Sequence, residues 1–126
     1  MVVIKIKSNA ALQAALAELT NFLMCAGICE EQIFDSKLVA CELLGNVLRH
    51  TDEETGLQSE IKDGYIQLKI LSRTFFPLPE KIRCSGLFAE HGRGLFLVNE
   101  LSEGKIFSEE DGIRVLLRIK KDEMPT

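Results

Sequence analysis

At 126 residues, 46% hydrophobic and 27% charged, the chain has the make-up of one globular domain with a core of its own. Its 15 Lys and Arg against 19 Asp and Glu leave a formal net charge of −4, which excludes the broadly basic surface of a general phosphate-backbone binder. No apolar run approaches the roughly 18 residues of a membrane span, and the alternating start, Met-Val-Val-Ile-Lys-Ile-Lys, lacks a signal peptide's unbroken apolar stretch. The expectation is a cytoplasmic protein with neither membrane nor nucleic acid as a direct partner. Its cysteines, Cys25, Cys29, Cys41 and Cys84, are then expected to be reduced and to serve as small buried or half-buried apolar residues. Their spacing matches metal-site patterns poorly.

Val2 to Lys7 alternates at period two and predicts a strand. Ser8 or Asn9 can cap a helix over 9–26, in which Leu12, Leu16, Leu19, Leu23 and Ala26 recur at helical spacing and which Gly27 ends. Glu30, Glu31 and Asp35 suit the start of a second helix reaching about His50. Its apolar residues, among them Ile33, Phe34, Leu38, Val39, Leu43, Leu44, Val47 and Leu48, spread over more than one stripe and predict general burial. Thr51 to Gly56 reads as a short solvated turn.

Leu57 to Lys62 and Tyr65 to Leu71 read as strands joined at Asp63-Gly64, a strong hairpin signal. Residues 73–91 fit no period, contain Pro77, Pro79 and Gly86, and have the length of a lid or binding loop. A short helix over 95–101 and a hairpin of Ile106 to Glu109 with Ile113 to Lys120, turning at Asp111-Gly112, complete the domain. Residues 122–126 form a frayed tail. Five strands and three helices in this order predict an α/β (α+β) two-layer sandwich, a single domain over 1–121 with its helices on one face of the sheet.

Two features interrupt this pattern. Within the apolar run Leu38 to Leu48, Glu42 and Asn46 project within about 40° of each other, with His50 a turn further on. A carboxylate in an apolar setting costs several kcal/mol unless it is partnered or protonated. Gly45 beside them, about 1 kcal/mol worse than Ala in a helix, leaves room for something to approach the backbone. The ordinary alternative is a polar stripe facing solvent, with His50 as partner to the helix C-terminus. The second feature is His91-Gly92-Arg93-Gly94-Leu95, where two glycines open a helix and free backbone N–H groups to surround an anion. Turns use Gly-x-Gly as well, so this motif gains weight only beside Glu42 and Asn46.

Glu42-x3-Asn46-x3-His50 on a helix, followed by Gly92-Arg93-Gly94-Leu95-Phe96-Leu97-Val98, resembles the GHKL histidine-kinase-like ATPase superfamily. Within it, the single-domain anti-sigma factors of the serine-kinase type are most similar, and nearly the whole chain follows their element order. Cys41 to Thr51 resembles the family's N box and Gly92 to Val98 its second glycine box. The resemblance implies a Bergerat-type fold with an ATP site between the helical layer and the irregular loop. It implies that Asn46 coordinates Mg²⁺ on the ATP phosphates and that Glu42 is the general base activating a partner's hydroxyl. It further implies that Gly92, Arg93, Gly94 and Leu95 line the phosphates and that 73–91 is the ATP lid. Magnesium offsets the charge that develops in phosphoryl transfer, which is why an oxygen ligand beside a base fits that chemistry.

The first glycine box, Asp-x-Gly-x-Gly in the family, is altered. Ser72 stands where the adenine-binding Asp is expected, and Thr74 and Phe76 stand at the glycines. A hydroxyl accepts a hydrogen bond without the charge-assisted strength of a carboxylate, and Phe75 and Phe76 could occupy adenine's space or simply pack in the core. Three functional expectations follow. One is an anti-sigma-like regulator with an ATP/Mg site, acting as a serine/threonine kinase on an antagonist. Another is a degenerate relative that binds a regulatory protein, a sigma factor or antagonist, without ATP. A helix–sheet domain of unrelated function is the third. Family members commonly form homodimers, for which the first strand's edge or the first helix could serve.

Overall fold

The computed structural model describes residues 2–6, 8–50, 55–72 and 96–120, and the side chains of 8, 10–47, 55–72 and 96–120. The expected lid, the second glycine box (Gly92, Arg93, Gly94, Leu95), Cys84, Phe75, Phe76, the tail and the side chain of His50 lie outside the described residues. The elements are β1 (Val2–Ile6), α1 (Asn9–Cys25), α2 (Glu30–His50), β2 (Thr55–Lys62), β3 (Tyr65–Leu71), α3 (96–101), β4 (Ile106–Glu109) and β5 (Gly112–Arg118).

The strands form one antiparallel sheet in the order β1-β2-β3-β5-β4. Alternate residues of one sheet face, Leu57, Ile66, Leu68, Ile70, Ile113, Val115 and Leu117, are buried against the helices. Leu12, Leu16, Leu19 and Leu23 of α1, Val39, Leu43, Leu44 and Val47 of α2, and Val98 of α3 join them in a single core. The helices therefore cover one face of the sheet, and the protein is an α+β two-layer sandwich.

Local chemistry accounts for most boundaries. The Ser8 side chain accepts from the Ala11 N–H at 3.2 Å and caps α1. At the other end Gly27 takes φ +79, the Gly27 N–H donates to Met24 O at 3.0 Å and the Ile28 N–H to Leu23 O at 3.0 Å. This pair of bonds is a Schellman motif; it satisfies carbonyls that the helix end leaves free and turns the chain back into α2. Asp63 and Gly64 both take positive φ, as a tight hairpin between β2 and β3 requires.

Four expectations need correction. Thr55 and Gly56 belong to β2 rather than to a solvated turn: they pair with Ile6 and Lys5 and are buried. The last hairpin turns at Glu110-Asp111, while Gly112 is already strand residue, opposite both Glu109 and Leu71. A Cβ at Gly112 would sit 1.9 Å from the Ile70 carbonyl oxygen, so the position admits only glycine. Helix α2 is not buried all round; Phe34 is 53% exposed, Leu38 half-buried and Cys41 exposed, because positions 34, 38 and 41 share the side turned away from the sheet. Cys41 on that side and Cys25, off the buried stripe of α1, are exposed free thiols rather than core residues, and Cys29 alone of the three described cysteines is half-buried.

Two stability predictions follow. Gly112→Ala forces backbone against backbone between β3 and β5 and is expected to lower stability by about 3 kcal/mol or more, measured by chemical denaturation. Ser59, fully buried on the core face, holds a hydroxyl with no hydrogen-bond partner among the described residues. Ser59→Ala is expected to raise stability by about 1 kcal/mol, since an unpaired buried hydroxyl is removed at little loss of volume.

Candidate functional site

The two candidate residues on α2 are placed by a residue the sequence does not single out. Gln32 is buried in the first turns of the helix. Its Nε2 donates to the carbonyl of Arg118, and its Oε1 accepts from the Lys120 N–H at 3.0 Å. One carboxamide thus satisfies a donor and an acceptor at the end of β5 and fastens the start of α2 there. The Ser36 hydroxyl, also buried, bonds back to the Gln32 carbonyl at 2.8 Å.

Gln32, Asp35, Glu42 and Asn46 fall within about 80° of one another around α2. Glu42 and Asn46 therefore share the flank from which Gln32 reaches the end of β5. Both side chains are half-buried: they lie at the margin of the core, neither inside it nor on the open outer side. Asn46 has a polar partner of its own. It lies fourteen residues beyond Gln32, about 21 Å at roughly 1.5 Å per residue. Back along β5, Arg118 to Gly112 covers about 20 Å at roughly 3.3 Å per residue. Helical rise thus carries Asn46 about as far from Gln32 as Gly112 lies from Arg118 along β5, and Glu42 lies one turn nearer.

Ser72 is at that same end. It is buried and follows directly on β3, and its N–H donates to the Asp111 carbonyl at 2.9 Å. Beside it the buried Thr55 hydroxyl donates to the Leu71 carbonyl at 2.7 Å. Ser72 lies at the end of the sandwich from which the chain leaves β3 toward residues 73–95, while Glu42 and Asn46 lie half-buried on one flank of α2. Gly45 is half-buried beside Asn46. Among the described residues no group of three or more His, Cys, Asp or Glu side chains converges as a metal site.

Charge around this end is arranged on the opposite, uncovered face of the sheet. Lys69 Nζ lies 2.8 Å from Asp111 and 3.3 Å from Glu109, and Arg114 lies 3.2 Å from Glu109 and stacks over the Phe107 ring. The hydrogen bond from Lys69 holds the Asp111 carboxyl below its ordinary range and, reciprocally, raises the Lys69 ammonium. At the far end of α2, burial raises the Asp35 carboxyl, Lys120 pulls it down and Glu31 adds to the rise.

Comparison with known protein families finds no family model that matches the chain, and no curated protein matches it. Among the described residues no helix is long and apolar enough to cross a membrane.

Gln32→Leu keeps the shape of the helix start but strands two backbone groups at the end of β5. It is expected to destabilise the fold by about 2–4 kcal/mol in denaturant titration. The pH dependence has a definite sign. Asp111 is depressed in the folded state, so its contribution is present above the ordinary carboxylate value of 3.8 and is lost as pH falls through the lower folded value. Asp111→Asn should therefore flatten the acid limb of the stability profile, measured as midpoint against pH.

Proposed function

We propose that the chain is a regulatory protein built on a histidine-kinase-like, Bergerat-type ATPase fold, resembling the single-domain serine-kinase anti-sigma factors. It takes Mg–ATP at the sheet end marked by Asn46 and Ser72 and acts on a protein partner. The observation that carries this reading is the half-buried pair Glu42 and Asn46, one turn apart on a single flank of α2, together with Ser72 buried directly after β3 where the chain leaves for residues 73–95. The element order and the coverage of one sheet face by helices support it.

The donor chemistry fits the nucleotide. Asn46 supplies a hard carboxamide oxygen suited to Mg²⁺, which when bound neutralises charge on the phosphates. Glu42, one helical turn away, is stationed to accept the proton of a partner's serine or threonine hydroxyl as the phosphoryl group is transferred. Its half-buried position keeps it accessible to both water and a docked substrate. Gly92 and Gly94, with Arg93 and Leu95, would supply phosphate contacts through the backbone.

A second reading has its own observation. Ser72, at the position of the family's adenine-binding Asp, is a neutral side chain buried at the end of β3, its backbone committed to Asp111. This favours a relative that keeps the fold and a surface for a sigma factor or antagonist but has given up ATP.

Thermal unfolding separates the two. Excess Mg–ATP at about 100 times its Kd adds roughly 2.7 kcal/mol and should raise the midpoint by several degrees. An unchanged midpoint at millimolar nucleotide sinks the nucleotide reading and leaves the second. Where binding is seen, Asn46→Ala should remove its dependence on Mg²⁺. Glu42→Ala should bind nucleotide normally and fail to transfer phosphate, and normal transfer by that variant would refute its role as base. Ser72→Asp should tighten ATP binding if the adenine anchor alone is weakened.

A further inference from the structure

Charge on the uncovered face of the sheet is divided between its two ends. Toward the Leu71–Gly112 end, Lys69 and Arg114 each have a carboxylate within 3.3 Å, from Glu109 or Asp111. At the other end of β3 the pattern changes. Strand register sets Lys62 and Arg118 on either side of Tyr65, so the three lie in one row across β2, β3 and β5. Lys105, just before β4, brings its Nζ over the Tyr65 ring, 5.9 Å from the centroid. Lys62 and Arg118 are exposed, Tyr65 and Lys105 half-buried. Among the described residues, Lys62, Lys105 and Arg118 form no ion pair. The adjacent row on this face holds one carboxylate, Glu60, against the three cations. Arg118 stands beside the Tyr65 hydroxyl, which favours its charged form, and Glu103 adds to this without pairing with it.

Three unpaired cations gathered around one ring, on a chain of formal charge −4, draw their counter-charge from outside the molecule. Their spacing decides its form. Neighbouring strands lie about 4.8 Å apart, which separates the backbones of Lys62 and Arg118 by about 10 Å, with the ring between them. A single phosphate is held by groups that converge on one point, whereas these stand on opposite sides of a ring. Alternate carboxylates of an extended peptide lie about 6.8 Å apart on one side of the chain, a span that long side chains reach from both ends. A flat sheet face also suits an extended segment. A nucleic acid, charged at every nucleotide, would meet the acidic remainder of the protein.

We propose that Lys62, Tyr65, Lys105 and Arg118 form a docking site for an extended acidic segment of a protein partner. The site lies at the far end of β3 from Ser72, and its occupation does not require nucleotide.

Nuclear magnetic resonance titration of the full chain without nucleotide tests this. The probe is a peptide of about ten residues that alternates glutamate and threonine. It should shift the amide signals of Lys62, Tyr65, Lys105 and Arg118, with an affinity that falls as salt rises. Lys62→Glu and Arg118→Glu should each weaken binding about fivefold, with an unchanged circular dichroism spectrum because both side chains are exposed. Lys37→Glu makes the same charge reversal at an exposed position of α2 and should leave binding within about twofold of wild type. No shift at millimolar peptide, or a loss in Lys37→Glu as large as in the sheet variants, overturns the inference. Displacement of the peptide by an equal concentration of inorganic phosphate also overturns it, as does tighter binding of a single-stranded DNA of the same length.

Discussion

A single buried carboxamide sets the geometry on which the rest depends. Gln32 bonds through both ends of its side chain to the last part of β5, and this fixes where α2 starts and which flank it turns toward the C-terminal strands. A leucine of similar size would fill the same space, but it would not specify register along the strand. Hydrogen-bond geometry does, because the donor at Lys120 and the acceptor at Arg118 accept only one placement of the amide. Helical pitch then puts Glu42 and Asn46 on the same flank of α2 as Gln32. At the opposite end the absent side chain of Gly112 plays the matching part, letting β5 approach the backbone of β3 closely enough for Ser72 to bond to Asp111.

The fold was largely legible in the sequence because its signals are local. The Ser8 cap, the Gly27 stop, Asp63-Gly64 and the period-two alternation of β2, β3 and β5 each act within a few residues of where they are read. The readings that missed were those that needed partners. Thr55 and Gly56 follow an acidic stretch and look like turn residues, yet pairing with β1 and β3 draws them into the sheet. Asp-Gly at 111–112 resembles the dipeptide at 63–64, but the close approach to Ile70 places the glycine within the strand. Phe34 counts as core by composition and lies outside because the buried face of α2 is already filled by Val39, Leu43, Leu44 and Val47.

The candidate site divides in the same way. Glu42 and Asn46 announce themselves as polar residues one turn apart in an apolar helix, and Ser72 by its place after β3. Gln32 and Thr55 give no such sign: Gln32 is one more polar residue in an acidic helix start, and its partners lie 86 and 88 positions away. Only long-range pairing reveals that this residue, more than any in the motifs, orients them.

The order of pairing in the sheet has a kinetic corollary. The α1–α2 hairpin and the β2–β3 hairpin close short loops, whereas Leu71 must find Gly112 across the whole intervening chain. Closing so long a loop costs more entropy than either hairpin, as does the pairing of Ile6 with Thr55 across a still longer stretch. Ser72 and Asp111 sit across the seam between β3 and β5, and Gln32 ties α2 to the far end of β5. The contacts that hold Ser72 and the start of α2 in place thus belong to long-range pairing and to neither local hairpin, so opening of the seam between β3 and β5 would release Ser72 while both hairpins stay intact.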